Sequence, residues 1–495
     1  MVNIIDVILP IFTLILSALL TIPVFRLIRR TSHKSALTVG WFIAIFAIAG
    51  IAVANLAISY YSAPGIVSLS LVNGANSTFS SGFMLDAISI YMAIIVVAIS
   101  FIVVLYSVFA IGTNERPSER YFAIMLMVTA SLLGAVLAGD LLTLFIFWEA
   151  AAAGSAFLML YKKNALSLNS ALKYLVMIII ASAFIVFGLS VVYGLTGTLN
   201  YIALGQALQS LANNRLLLIA FIFIAAGYAI EAAIVPFHFW LPDAYTAAPA
   251  TSSAFLSALV DQGSYYILIR VLVTIIAQSK ALDWTLMLAV MAALTMIVGN
   301  LFALIQDDVK RLIANICVAD VGYNLVAITS LTSLGIIGNL YFFLIGGITT
   351  GLAFMAIGII NSKGFKNLDD FSGLGRKMPI VSLALIIAGL SFAGVPPFGG
   401  FLAKYLVFTA AIQANLSWLA VVGVLTSVLQ TAYIFRLINI MYSKKPLDET
   451  TIKESKLILI PIFILVGALI VLGLYPEPVF KLIQPIINQL PFLTH

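Results

Sequence analysis

Along the 495-residue chain, apolar runs of about twenty residues alternate with short polar segments. That length matches what a helix needs to cross roughly 30 Å of hydrocarbon. The runs place helices at 4–25, 36–61, 88–111, 121–138, 141–161, 168–195 and 216–234, then at 250–276, 285–305, 311–331, 334–360, 380–410, 416–441 and 457–474. Only helices with internally paired backbones suit so apolar a chain, so the pattern predicts an all-α integral membrane protein of about fourteen transmembrane helices. The segment 62–82, rich in Ser, Gly and Asn, reads as a loop, and 362–379 as a connector with turn chemistry.

Two runs are interrupted. The seventh leads into 235-VPFHFWLPDAYTAAPAT-251, with Pro236, Pro242 and Pro249, and the twelfth contains 393-AGVPPFGGF-401. Proline removes a backbone donor and frees carbonyls, which lipid tolerates only against protein or a water-filled cavity. The breaks lie five helices apart, which implies two five-helix repeats within a single polytopic membrane domain spanning 1–495. Helices 4–8 (121–276) form the first, helices 9–13 (285–442) the second, and 443–495 supplies a loop and the last helix. Five is odd, so the second repeat starts from the opposite side of the membrane, the inverted topology that places transporter sites at broken helices.

Composition sharpens this picture: 63% of residues are hydrophobic and 9% charged, which excludes a soluble domain. The net charge of +6 is spread over many loops, which argues against a nucleic-acid partner. When loops are assigned alternately to two sides, eighteen of the 25 basic residues fall on one side, from Arg26, Arg29 and Arg30 to Lys444, Lys445, Lys453 and Lys456. The positive-inside rule then puts both termini outside a prokaryotic plasma membrane. The first run follows Asp6 and lacks a basic leader, so it reads as a retained helix. Cys317 is the one cysteine, which excludes an intrachain disulfide or a cysteine-bound iron–sulfur cluster, and the three histidines (His33, His238 and His495) argue against a histidine-rich metal site. No cofactor is expected in this chain.

Function must then lie in ionisable residues within helices, where charge is expensive and marks ion pathways. Glu149 lies midway along the fifth run with no charged neighbour within a turn, so it needs a partner from another helix. Glu231 precedes the first break, Asp261 lies in the eighth run, Asp320 in the tenth and Lys404 after the second break. These five define a candidate wet polar axis for proton relay, with Lys173 and His238 as further candidates on the pathway. Each also has a structural reading: Glu149 pairing with Lys173 or Arg270 to hold helices together, Lys404 satisfied by carbonyls at the break, Glu231 and Asp261 as neutral hydrogen-bonding acids, Asp320 solvated near its helix start, and His238 an anchor of the proline-rich turn.

The string 236-PFHFWLPDAYTAAPATSSAFLSALV-260 closely resembles a signature of the antiporter-like proton-channel subunits shared by complex I, energy-converting membrane-bound hydrogenases and multi-subunit sodium/proton antiporters, of the N/M-like type. The stretches 138-AGDLLTLFIFWEAAAAGSAFLM-159, 306-QDDVKRLIANICVADVGY-323 and 394-GVPPFGGFLAKYLVF-408 are similar to three more segments of that family. The resemblance implies a fourteen-helix subunit with inverted repeats, and proton translocation driven by redox chemistry in partner membrane subunits and a redox arm. By position, Glu149 matches the fifth-helix glutamate, Lys404 the twelfth-helix lysine and Lys173 the lysine of a sixth-helix Lys-Tyr motif. Glu231 and Asp261 stand where the family carries lysines, Asp320 where it often carries histidine, and Thr350 where it carries an eleventh-helix lysine. These departures leave three readings open: a proton relay through acids, a sodium pathway, or a non-conducting structural subunit. A membrane-embedded enzyme using His238 and Asp243 is a minor alternative.

Overall fold

The computed structural model describes residues 3–30, 34–62, 64–70, 82–111, 118–162, 164–211, 214–273, 284–443, 452 and 454–490. Both chain ends, His33, Lys444, Lys445, Lys453 and most of the predicted loop 62–82 lie outside the described residues. The helices are α1 Ile4–Ile28, α2 Lys34–Ser62, α3 Ala87–Ile111, α4 Ser118–Val136, α5 Leu141–Met159, α6 Ala165–Thr196, α7 Tyr201–Ser210, α8 Arg215–Glu231, α9 Trp240–Ala247 and α10 Ala250–Phe255. They continue as α11 Asp261–Leu268, α12 Thr285–Leu304, α13 Val309–Thr329, α14 Ser333–Asn361, α15 Leu374–Lys377, α16 Pro379–Ala393, α17 Gly399–Gln413, α18 Ser417–Ser443, α19 Lys456–Leu474 and α20 Glu477–Asn488. Among the described residues, eleven helices are long and apolar enough to cross a membrane. The chain is an all-α membrane protein apart from one small ribbon.

That ribbon corrects the loop reading of 62–82. Strand β1, Val67–Ser70, pairs antiparallel with β2, Gly82–Leu85, and Phe83 bridges to Ala138. Helices α7 and α20 are also absent from the sequence reading. Both are short and amphipathic, so neither rises as an apolar run; α7 begins because Asn200 caps the Ile202 and Ala203 amides.

The interrupted runs are interrupted in space, and side chains repair the backbone. After α8 the chain turns through Ala233, whose φ is 52°. There the Val235 amide donates to Thr295 Oγ1 of α12 at 3.1 Å, and Trp240 Nε1 donates to the Ile230 carbonyl at 2.9 Å. Helix α16 ends at Gly394 in the left-handed region, φ 72°, where the Gly394 and Val395 amides return to the Ser391 and Leu390 carbonyls. Helices α10 and α11 run on as one rod over 250–273 that includes two π turns, Leu256–Val260 immediately before Asp261 and Ile269–Val273 around Arg270.

Close packing rests on small residues, as expected where lipid gives no hydrophobic drive between helices. A Cβ on Gly188 of α6 would lie 2.7 Å from the Ala220 carbonyl of α8, and one on Gly227 of α8 would lie 2.8 Å from the Ala181 carbonyl of α6. Backbone cannot yield as a side-chain tip can. The substitution Gly188→Val is therefore expected to destabilise the folded protein by about 1–3 kcal/mol, read as a lower thermal unfolding midpoint in detergent, whereas Gly194→Val, where a Cβ meets nothing within 4 Å, should leave the midpoint close to the parent's.

Candidate functional site

The middle of the bundle carries a row of ionisable side chains. On α5, Glu149 is half-buried and its Oε1 accepts a 2.7 Å hydrogen bond from Ser182 Oγ of α6. Its carboxyl group lies beside that of Glu231, the last residue of α8. Glu231 is 5% exposed, receives the Trp148 indole N–H on Oε2, and has no protein donor on Oε1. Tyr228, its hydroxyl also without a protein partner, packs beside this pair.

Between Glu231 and Asp261 lies a cavity of about 10 Å³ open to the centre of a water, walled by Trp148, Tyr174, Trp240 and Tyr245. That is close to the space one water needs. Asp261 is buried with both oxygens lacking protein partners, as are the Tyr265 hydroxyl and the Gln262 amide beside it. Asp261, Cys317 and Asp320 of α13 are neighbours in the bundle interior. A second cavity of about 10 Å³ then joins Asp320 to Lys404 of α17, with Thr349 and Ser391 in its wall.

Lys404 is 4% exposed. Its ammonium donates to Gln430 Oε1 at 2.6 Å and Ser427 Oγ at 2.9 Å, and lies 4.2 Å from the centre of the Tyr323 ring. Ser427 in turn reaches the Ala393 carbonyl left free where α16 ends. Behind Tyr323, its hydroxyl donates to Thr426 Oγ1, while Tyr433 donates to Asn300 Oδ1. Four carboxyl groups and one amine thus follow one another across the bundle, with about one water's space between Glu231 and Asp261 and between Asp320 and Lys404.

The remaining sequence candidates are not in this row. Lys173 is half-exposed and pairs with Asp243 at 2.7 Å, and Asp243 also takes Arg311 at 2.9 Å. Arg270 pairs with Asp86, so neither cation is the partner of Glu149, and the helix-clamp reading of that residue is corrected. Asp320, expected to be solvated near its helix start, is 2% exposed, because α13 is enclosed on every side by the bundle. His238 is buried in the turn after the first break, stacked on Phe302 with ring centres 5.9 Å apart, and neither ring nitrogen has a protein partner. It does not join Asp243, so the pair needed for the enzyme reading is not assembled. Thr350 bonds back to the Gly346 carbonyl of its own helix. Among the described residues no group of His, Cys, Asp and Glu could hold a metal ion.

Sequence reasoning missed several buried charges, Lys310 and Asp86 among them. Lys310, assigned to a basic loop, folds inward and donates to the Ala248 and Thr246 carbonyls at 2.5 and 3.2 Å. Asp86 sits at the head of α3 against Arg270. Its signal was an acid placed directly before a 25-residue apolar helix, which needs a cation from elsewhere in the fold.

Lys404 is held by dipoles and faced by Asp320, so removing it leaves a buried acid unopposed. The substitution Lys404→Met is expected to destabilise the protein by about 3–5 kcal/mol. Pairing it with Asp320→Asn should restore at least about 1 kcal/mol, measured as a double-mutant cycle of unfolding midpoints in detergent.

Comparison with known proteins completes the description. Residues 138–430 match the family model described as NADH:quinone oxidoreductase/Mrp antiporter, TM. The chain is 32% identical over 433 residues to F(420)H(2) dehydrogenase subunit N of Methanosarcina mazei, covering 84% of this chain and 87% of that protein. It is 33% identical over 378 residues to NADH-quinone oxidoreductase subunit N of Trichlorobacter lovleyi, covering 75% and 77%. A chain of the membrane-bound sulfane sulfur reductase, an archaeal respiratory membrane complex, superposes with a TM-score of 0.87 at 27% identity over 98% of this chain and 97% of that one. The matched segment holds Glu149, both helix breaks, Asp320 and Lys404, and the chain belongs to the NADH:quinone oxidoreductase/Mrp antiporter transmembrane family.

Proposed function

We propose that this chain is the proton-translocating subunit of a redox-driven respiratory complex in a prokaryotic plasma membrane, and that it relays protons along Glu149, Glu231, Asp261, Asp320 and Lys404. The observation that carries the reading is the row itself: four buried ionisable groups and the half-buried Glu149, with about one water's space between Glu231 and Asp261 and between Asp320 and Lys404. Charge buried to this depth is retained where ions move. Neighbouring carboxyl groups in low dielectric do not all ionise together, so a proton arriving at one end displaces charge stepwise toward the other. Lys404 closes the row with the one cation, which draws negative charge toward Asp320.

Membership of such a complex is supported by the relatives, which are named as subunits of NADH-quinone oxidoreductase and F(420)H(2) dehydrogenase and as part of a sulfane sulfur reductase complex. The redox chemistry belongs to partner chains, with no cofactor held in this one. Three further crossings, α8, the 250–273 rod and the broken pair α16–α17, added to the eleven long helices give fourteen. The repeats are then 121–276 and 285–442, inverted with respect to each other, with 443–495 following and both termini outside. Lys173 serves the surface cluster around Asp243, and His238 the geometry of the first break.

The test is gradient formation by sealed vesicles containing the intact complex and its electron donor. Glu149→Gln and Glu231→Gln are each expected to lower the pH gradient formed at least about tenfold, with no sodium gradient in the parent. A parent that builds a sodium gradient instead makes the coupling ion sodium, and undiminished proton pumping in both variants makes this a structural subunit.

A further inference from the structure

A third cavity, of about 300 Å³, lies apart from the axis, among the head of α3, α7, the far end of the 250–273 rod and α20. Its polar lining is Asp86, Tyr201, Gln206, Gln209, Arg270 and Gln489. Gln206 and Gln209 are exposed, so the cavity communicates with water. At its base, Arg270, 2% exposed, donates to Asp86 at 2.6 and 3.0 Å, to Ser89 Oγ at 2.9 Å and to Tyr266 OH at 3.0 Å. The buried Tyr201 hydroxyl has no protein partner and lines the same space. A buried hydroxyl in a polar cavity of this size is satisfied by water.

The rod beneath connects this cavity to the axis. Asp261 and Arg270 are nine residues apart on it, about 14 Å along a helix, and a π turn lies at each. π turns leave one wide loop of backbone that can be passed along a helix, so they mark places where a rod shifts without unfolding. An ion pair acting only as a staple needs neither the open space beside it nor a link to the axis.

We propose that this cavity is the vestibule through which the translocated proton exchanges with water on the basic-poor side, and that Asp86–Arg270 is its gate. While the pair is closed, Asp86 is fully engaged and the guanidinium repels a proton approaching from either side. A shift of the rod that withdraws Arg270 leaves the Asp86 carboxylate free to accept a proton delivered through water from Asp261. Return of Arg270 displaces that proton into the vestibule. The inference rests on the relay reading of the axis.

The test uses the intact complex in sealed vesicles carrying Gln206→Cys or Gln209→Cys, each treated with a membrane-impermeant cationic thiol reagent and compared with the same variant untreated. Treatment from the basic-poor side is expected to slow proton pumping at least about fivefold while electron transfer continues; treated parent is the control, since Cys317 is buried. In a second arm, Asp86→Asn vesicles without electron donor should dissipate an imposed pH gradient several times faster than the parent. Labelled variants that pump normally, with Asp86→Asn vesicles as tight as the parent, overturn the gate. If Glu231→Gln abolishes pumping in the same preparation, the relay stands without the gate; if Glu231→Gln also pumps normally, the relay itself falls. Where Asp86→Asn fails to assemble, the cysteine arm alone decides.

Discussion

A charge inside a membrane-spanning bundle persists only where other polar groups face it, and most of this fold is arranged around that requirement. Helix α13 shows the consequence. It carries Asp320, Tyr323, Asn315 and Asn324, and every residue of its membrane span is enclosed by other helices. Around it, α12, α14, α17 and the 250–273 rod supply Asn300, Asn339, Lys404 and Asp261. The outer helices, such as α1, α6 and α19, leave most of their apolar surface uncovered by this chain.

The helix breaks belong to the same logic. Interrupting a helix in hydrocarbon frees donors and acceptors, and here side chains answer several of them, some of which also shape the axis. Thr295 takes the Val235 amide, and Trp240 bonds the Ile230 carbonyl while lining the cavity beside Glu231. Ser427 joins the Ala393 carbonyl to the Lys404 ammonium. The breaks thus fix the positions of Glu231 and Lys404 through hydrogen bonds, a more exact constraint than apolar packing provides.

Carboxyl groups at 231 and 261 make the row acid-rich, and the protein leaves both available cations elsewhere: Lys173 at a surface cluster and Arg270 against Asp86. The result is a set of acids in which Glu149 takes a hydroxyl and Glu231 an indole, while neither oxygen of Asp261 has a protein hydrogen-bond partner. In the proposed relay, such a row moves charge by changing which acid holds a proton, without separating a lysine from its glutamate. Asp261 and Arg270 share one rod, and the proposed gate rests on that continuity.

Sequence alone determined what hydrophobicity and proline chemistry control. Apolar runs located the long helices, the proline clusters located both breaks, and isolated charges within runs named Glu149, Glu231, Asp261 and Lys404, because each of these signals is local to a few turns of chain. Amphipathic helices α7 and α20 and the β1–β2 ribbon escaped notice, since none forms an apolar run of spanning length. Partnership was decided only in three dimensions. That Glu149 meets Glu231 and Ser182, that Asp320 is enclosed instead of solvated, that Lys310 turns inward to the carbonyls at Thr246 and Ala248, and that Asp86 takes Arg270 from 184 residues away all depend on how helices rotate and cross. A buried charge announces in sequence that it needs a partner; which partner it finds is set by packing, which no local pattern encodes.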